Sequence, residues 1–159
     1  MNIRTQVKQE DLNNVRRITE STRFFYDHEL DVAVSLVDKT LKKGDEAGYH
    51  FLFVEDDNNK TIGYTCFGEI PCTSRRYDIY WIVVDNDQRG KGIGKFILRE
   101  TEKEIVRIGG EIIYLETSSQ EKYHPTRSFY EKLEYIKEAE LKDFYANKDN
   151  KVIYAKRLK

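Results

Sequence analysis

Apolar and polar residues recur with two different periods along this chain, and the period changes near residue 49. Before that point, apolar residues return every three or four positions over 10–22 and again over 27–44. This spacing is typical of amphipathic helices. Asp27 is placed to cap the second helix and a glycine at its end to stop it. A short strand over 2–7 precedes both helices.

Beyond residue 49, runs rich in aromatic and β-branched residues predict strands. The predicted strands are 49–55, 61–68, 77–84, 111–117, 135–141 and 152–158. Turn-forming residues over 56–59 join the first two of them as a hairpin. Helical spacing over 94–108, ended by Gly109-Gly110, and over 126–133 places two further helices between strands.

The order of these elements predicts an α/β fold. A hairpin supplies antiparallel strands, and a strand–helix–strand crossover supplies a parallel pair, so the sheet is expected to be mixed, mostly antiparallel and flanked by helices. No Gly/Ser-rich or Pro-rich linker divides the chain, and both Pro71 and Pro125 fall between predicted elements. The length predicts a single domain over 1–159.

Composition narrows the class of protein. The 27 Lys and Arg residues are balanced by 28 Asp and Glu residues, which argues against binding to nucleic acid. The chain has no long uncharged apolar run and begins without an apolar signal segment, so we expect no membrane span and a cytoplasmic location. The three histidines and two cysteines are scattered singly, so we expect no metal site.

The most specific segment follows the predicted strand over 77–84. There a polar turn leads into Arg89-Gly90-Lys91-Gly92-Ile93-Gly94-Lys95, which opens a helix. Glycines let the backbone approach a ligand, and a helix N-terminus favours negative charge, so the segment predicts a phosphate or pyrophosphate site. It matches neither the G-x-x-x-x-G-K-[ST] loop nor the G-x-G-x-x-G spacing of a dinucleotide fold. An ordinary glycine-rich turn is the alternative interpretation.

Two motifs resemble the signatures of one enzyme family. Residues 89–94 resemble the R/Q-x-x-G-x-G/A signature of the GNAT superfamily of N-acetyltransferases, and residues 123–135 resemble its second signature, N-x-x-A-x-x-F-Y-x-x-x-G-F. The predicted order of elements matches the family across nearly the whole chain. This chain departs at Tyr123 for Asn and Thr126 for Ala, which affects a contact to pantetheine, and at Glu134 for Gly, which affects a turn.

The resemblance implies how a cosubstrate binds. In such enzymes the sheet splays into a V between the fourth and fifth strands, and acetyl-CoA lies in the opening, without a metal. The resemblance implies that backbone groups of Ile82, Val83 and Val84 pair with the pantetheine arm. It also implies that amides over 89–95 hold the pyrophosphate and that Tyr123 lies beside the arm.

The resemblance also implies the reaction, in which acetyl-CoA acetylates a primary amine of a small molecule or protein. Tyr130 stands at the family's tyrosine position and would protonate the departing thiolate; the alternative is a tyrosine packed in the core. Asp78 lies where histone-acetylating relatives carry a glutamate base, with Glu69, Glu116 and water as rivals. Cys66 has no partnered histidine in the sequence, so we expect a buried thiol and direct transfer in a ternary complex.

Other interpretations stay open. One is a non-catalytic CoA-binding or sensing module, against which the retention of Tyr130 argues. Another is a nucleotide-phosphate binder, disfavoured because no Walker loop is present. Residues 23–28, 116–119 and 143–145 are candidates for the acceptor pocket. The sequence leaves open which amine is acetylated and whether the chain is a monomer or a homodimer.

Overall fold

The structure, a computed structural model, describes residues 1–158. The helices are Asp11–Ser21 (α1), Asp27–Lys43 (α2), Ile93–Arg107 (α3) and His124–Lys132 (α4). The strands are Asn2–Arg4 (β1), His50–Glu55 (β2), Thr61–Glu69 (β3), Arg76–Val84 (β4), Ile112–Ser118 (β5), Ile136–Ala146 (β6) and Asp149–Arg157 (β7). Short 3₁₀ turns span Gly44–Ala47, Asn86–Gln88 and Glu121–Tyr123. No helix within residues 1–158 has both the length and the apolar character needed to cross a membrane.

The strands form one sheet in the order β1-β2-β3-β4-β5-β7-β6. The β1–β2, β2–β3, β5–β7 and β6–β7 pairs are antiparallel, and β4–β5 is parallel. This mixed, mostly antiparallel sheet confirms the predicted fold class. The β4–β5 ladder runs from the Arg76–Ile112 pair to the Asp78–Tyr114 pair, and both strands continue beyond it. The two strands therefore stop pairing before either of them ends. This is the pattern expected if the sheet splays into a V between β4 and β5.

The described residues group into two compact units. The first unit comprises residues 1–69 and 79–104, and the second comprises residues 70–78 and 105–158. The strand β4 and the helix α3 therefore each contribute residues to both units.

Two apolar clusters form the core of the first unit. One joins α1 and α2 to the sheet and includes Val15, Ile18, Val37, Phe51, Phe53 and Tyr64. The other joins α3 to the sheet and comprises Leu52, Val54, Ile62, Ile93 and Ile97. Alternate residues of β2 enter opposite clusters, as the pleat of a strand dictates. Helices therefore cover both faces of β2.

A glycine in β3 allows α3 to pack closely. A Cβ on Gly63 would lie 2.6 Å from Cδ1 of Ile97 and 3.1 Å from the carbonyl oxygen of Val83. Any larger residue would have to push α3 or β4 away from β3.

The core of the second unit is rich in tyrosine. Its buried side chains include Tyr77, Ile113, Leu115, Tyr130, Leu133, Tyr135 and Tyr154. The edge strand β6 is exposed along most of its length. Charged residues are interspersed among its apolar ones, and charges on an edge strand resist pairing with other chains.

Two local predictions about helix starts were wrong. Asp27 is the first residue of α2 and not its cap. The cap is Tyr26, the residue before Asp27, and its amide donates a hydrogen bond of 2.7 Å to the Glu29 carboxylate. Pro125 lies inside the first turn of α4 and not between elements. A proline is tolerated there because first-turn amides have no intrahelical acceptor.

The ends of three strands also differ from the prediction. The first strand is β1, which ends at Arg4 where the prediction extended to residue 7. The last two strands form a longer hairpin than predicted, since β6 continues to Ala146 and β7 begins at Asp149. The sequence of this hairpin tip lacks alternating apolar residues, so pairing with β7 and not local pattern keeps it extended.

Candidate functional site

The glycine-rich loop of the first unit lies between the end of β4 and the start of α3. Gly90 has a φ of 75° and Gly92 a φ of 78°, both in the left-handed region that favours glycine. A Cβ built on either residue would have no atom within 4 Å. The backbone of the loop therefore presents an open surface that a ligand can approach.

A run of backbone amides in this loop donates to nothing in the protein. The amides from Gly90 through Lys95 have no acceptor within residues 1–158, and the first hydrogen bond of α3 runs from the Phe96 amide to the Gly92 carbonyl at 3.0 Å. The Arg89 amide differs, because it donates to the Asn86 carbonyl at 3.2 Å. Unpaired amides at a helix N-terminus are suited to an anion.

A buried carboxylate anchors the start of the loop to α1. Asp85 is 4% exposed and accepts a hydrogen bond of 2.5 Å from the Arg17 guanidinium. Arg17 also donates to the Thr61 carbonyl, and the Asn86 amide donates to Ser21 Oγ at 3.0 Å. No role was predicted for Asp85 or Arg17 from the sequence. An aspartate directly after a buried strand is a turn signal, but nothing in the sequence indicates its partner on α1.

The residues before the loop place their side chains in the core. Val83 belongs to the cluster of α1 and α2, whereas Ile82 and Val84 pack against the cluster of α3. Val83 is buried, whereas Ile82 and Val84 are half-buried. All three side chains are apolar, so the polar groups that this stretch offers to a ligand belong to the backbone. Among the basic residues of the loop, Lys91 donates to the Gln88 side chain at 3.0 Å.

Tyr130 lies within the aromatic core of the second unit. It is 6% exposed, and its ring centroid lies 5.5 Å from that of Phe129, 5.9 Å from that of Tyr135 and 6.0 Å from that of Tyr154. Burial raises the pKa of the Tyr130 phenol above its ordinary value of about 10. The hydroxyl therefore stays protonated at neutral pH. Tyr123 is half-buried at the end of the 3₁₀ turn before α4.

The left-handed turn after α4 accounts for one departure from the family pattern. Glu134 has a φ of 69°, a conformation that favours the glycine of the second signature. The Tyr135 amide donates to the Tyr130 carbonyl at 3.1 Å and closes the helix. The turn is therefore kept although its glycine is not.

A cavity of about 350 Å³ lies in the second unit. Its wall includes the apolar Ile70, Leu115 and Ile153 and the polar Asp78, Tyr114 and Glu116. Asp78 lies opposite Tyr114 in the β4–β5 ladder, and Glu116 follows two residues along β5 on the same face. The cavity therefore combines an apolar wall with two neighbouring carboxylates.

These two carboxylates differ in their partners. Asp78 makes no hydrogen bond or ion pair within residues 1–158, whereas Glu116 is bound to the Lys151 ammonium at 2.7 Å. Burial and the charge of Glu116 raise the pKa of Asp78, and Lys151 opposes part of this rise. Asp78 is therefore the more available proton acceptor. The rival Glu69 belongs to the first unit and does not line this cavity.

The tip of the β6–β7 hairpin lies beside the Glu116 carboxylate. The Lys151 ammonium lies 4.2 Å from the ring centroid of Phe144. Burial, with the nearby charges of Glu116 and Asp149, raises the pKa of Tyr145 to about 12. The structure thus brings two predicted acceptor segments together, 116–119 and 143–145, while 23–28 belongs to the first unit.

The two cysteines are free and differ in exposure. Cys66 is fully buried in β3, and burial raises the pKa of its thiol. Cys72 is exposed in the loop between β3 and β4. Among residues 1–158, no group of three or more His, Cys, Asp or Glu side chains is placed to hold a metal ion.

Comparison with known proteins identifies the family. The model of the acetyltransferase (GNAT) family matches residues 12–135. A solved GNAT-family protein from Desulfovibrio desulfuricans is 43% identical, with a TM-score of 0.94 over 98% of each chain. The chain therefore belongs to the acetyltransferase (GNAT) family.

More distant structures share the fold. An aminoglycoside 6'-N-acetyltransferase complexed with coenzyme A is 18% identical, with a TM-score of 0.76 over 99% of this chain and 97% of that chain. The ribosomal-protein-S18-alanine N-acetyltransferase from Escherichia coli is 16% identical, with a TM-score of 0.78 over 99% and 93%. Among curated proteins, none matches the chain by sequence. Family and fold together support acyltransferase activity.

Proposed function

We propose that this protein transfers the acetyl group of acetyl-CoA to a primary amine of a small molecule or protein. The observation that carries the proposal is the run of unpaired amides from Gly90 through Lys95 at the start of α3. Such a run is a binding site for a phosphate group, and a relative with the same fold is complexed with coenzyme A.

The cosubstrate is proposed to contact backbone more than side chains. The amides of the loop would hold the pyrophosphate, and backbone groups of Ile82, Val83 and Val84 would pair with the pantetheine arm beside Tyr123. The burial of Val83 and the apolar character of the half-buried Ile82 and Val84 support this division of roles. The open space in front of Gly90 and Gly92 supports close approach of a phosphate.

The proposed reaction is a direct transfer. The ammonium form of the acceptor first loses a proton to water, and the neutral amine nitrogen then attacks the thioester carbon, so that a C–N bond forms and the C–S bond breaks. Asp78 accepts the amine proton, and Tyr130 donates a proton to the thiolate; water later restores both groups. The thiol of the product has a pKa of about 8.5, so a protonated phenol lowers the energy of its departure. The unpaired carboxylate of Asp78 supports its role, and burial keeps the Tyr130 phenol in the protonated form that a donor needs.

The cysteines support transfer without an acyl-enzyme. A cysteine attacks as its thiolate, and burial raises the pKa of the Cys66 thiol. Incubation with labelled acetyl-CoA alone should therefore leave no label on the denatured protein. Stoichiometric labelling of Cys66 or Cys72 would show that a covalent intermediate forms.

Replacing a loop glycine tests the binding site. Gly92→Val adds a branched side chain where phosphate is proposed to approach, and Gly48→Val is the matched control, because its φ is also 78° and its Cβ position is also open. Both variants should lose about 1–2 kcal/mol of stability from the left-handed backbone. Only Gly92→Val should weaken CoA binding in calorimetry, by about tenfold or more.

Equal CoA affinity in the two variants would refute the loop assignment. The transfer itself is tested with the wild-type protein, acetyl-CoA and a panel of primary amines, with released thiol as the readout. If the protein binds CoA but releases no thiol with any amine of the panel, the proposed activity is contradicted. The protein would then be a CoA-binding protein without transferase activity.

A further inference from the structure

A lysine of this chain occupies a site that is built for an alkylammonium. The Lys151 ammonium lies 2.7 Å from a carboxylate oxygen of Glu116 and 4.2 Å from the ring centroid of Phe144, and its side chain is 16% exposed. A carboxylate and an aromatic face are the two groups that bind an organic ammonium ion most effectively. The Lys151 ammonium therefore occupies a cation site beside Glu116, and Glu116 lines the cavity.

The ion pair between Lys151 and Glu116 also determines which charges in the cavity are left for a ligand. Glu116 is neutralised by Lys151, and Arg76, which also lines the cavity, is paired with Glu111 at 2.8 Å. Asp78 is left as the one lining carboxylate without an ion pair among residues 1–158. The cavity thus offers one carboxylate without an ion pair beside an apolar wall.

We propose that this cavity binds the amine acceptor, that it selects an amine with one ammonium group and an apolar body, and that Lys151 is the specificity-determining residue that excludes a second ammonium. The proposal rests on the proposed acetyltransferase function. A diamine would bring its second charge to a wall where Glu116 is already paired and where Lys151 repels it. A monoamine meets only Asp78 and the apolar side chains of Ile70 and Ile153.

The size of the cavity agrees with this class of acceptor. About 350 Å³ is near the lower end of the range for small-molecule sites, about 300–1,000 Å³. Since Leu115 and Ile153 line the same cavity as Asp78, an alkyl or aromatic chain gains from burial there.

Removing Lys151 should change which amines the protein accepts. Lys151→Ala removes the ammonium and leaves the Glu116 carboxylate, which lines the cavity, and the nearby Phe144 ring without their cation. We measure kcat/KM for α,ω-diaminoalkanes of increasing length and for 1-aminoalkanes of the same lengths. At one or more lengths, the ratio of diamine to monoamine should rise by about tenfold or more over wild type.

Two variants control for charge and for folding. Lys151→Arg keeps the cation and should keep the wild-type preference. Lys137→Ala removes another hairpin lysine, one that is paired with Glu140 outside the cavity, and should also leave the ratio unchanged. Thermal unfolding checks that Lys151→Ala is folded. A ratio that stays within about twofold of wild type at every length in folded Lys151→Ala overturns the proposal.

A second readout separates this inference from the proposed activity. If the wild-type protein acetylates no amine, the proposed activity fails, and calorimetry with 1,4-diaminobutane then decides the present inference alone. Binding to Lys151→Ala and not to wild type supports an ammonium site that Lys151 occupies. Equal binding, or none to either protein, contradicts it.

Discussion

At the scale of single residues, the two groups proposed to move protons lie in contrasting surroundings. Tyr130 is enclosed by aromatic rings, which favour the neutral phenol. Asp78 is half-buried at the wall of a cavity, and its carboxylate has no partner within residues 1–158. Each group thus has surroundings consistent with its proposed role, the phenol as proton donor and the carboxylate as proton acceptor.

Tyr130→Phe should lower kcat by at least tenfold while acetyl-CoA binds nearly as before. General acid catalysis contributes about 10²–10⁴-fold, and the substitution removes only the hydroxyl while the ring keeps its packing. Tyr135→Phe is the control, because Tyr135 is a buried neighbour in the same aromatic cluster. Steady-state kinetics and calorimetry provide the two readouts. Wild-type turnover by Tyr130→Phe would show that another group protonates the thiolate.

The pH dependence of kcat/KM should report Asp78. A base works when ionised, so activity is present above its pKa and is lost as the pH falls through it. Burial and Glu116 raise the pKa of Asp78, so this loss should occur at higher pH than the ordinary aspartate value of about 3.9. Lys151→Met should move it to still higher pH, since Lys151 lowers that pKa.

Asp78→Asn is the decisive variant for this assignment. It should lower kcat/KM and remove the acidic limb of the profile. An unchanged limb in Asp78→Asn would assign the titration to another group, such as Glu116.

At the scale of elements, the contact between α1 and the glycine-rich loop joins stability to binding. Arg17→Met leaves the buried Asp85 carboxylate without its cation. A broken buried pair costs about 3–5 kcal/mol, and the Arg17 side chain is 39% exposed, so we expect a smaller loss of about 1–3 kcal/mol. CoA affinity should fall as well, because Asp85 fixes the start of the loop.

Urea unfolding and calorimetry measure these two effects. Arg16→Met is the matched control, since Arg16 lies on the same helix and pairs with Asp31 at the surface. Arg17→Met that keeps both stability and CoA affinity would show that the loop holds its shape without α1.

Elements with a regular period could be predicted from the sequence to within a few residues. The apolar stripe of α2 and the aromatic run of β4 are local patterns, so their position follows from neighbouring residues alone. The tip of the β6–β7 hairpin was predicted too short because Asp143, Phe144 and Tyr145 follow no strand period. Its extension depends on pairing with β7.

In the candidate site, too, local features could be predicted from the sequence and contacts between distant residues could not. The glycines of the loop alternate with other residues within one short segment, so an anion site could be predicted there. Arg17 with Asp85 and Glu116 with Lys151 are pairs of residues far apart in the chain. A local sequence pattern carries no information about which distant residues pair, because these residues come together only when the chain folds.

At the scale of the whole molecule, we propose that the chain unfolds as one domain. The strand β4 and the helix α3 each belong to both compact units, so neither unit can lose its structure without unravelling an element of the other. Trp81, the one tryptophan, reports on the first unit, and far-ultraviolet circular dichroism reports on both. Their urea midpoints should coincide, and two separate transitions would contradict a single domain.

The unpaired amides from Gly90 through Lys95 have a consequence for the protein without its cosubstrate. A backbone N–H that donates to no protein group exchanges its hydrogen with solvent without any opening of the structure. The first turn of α3 should therefore take up deuterium like an unfolded peptide, although its side chains Ile93 and Ile97 lie in the core. Slower uptake confined to this turn would then report occupancy of the site even in a variant that has lost all turnover.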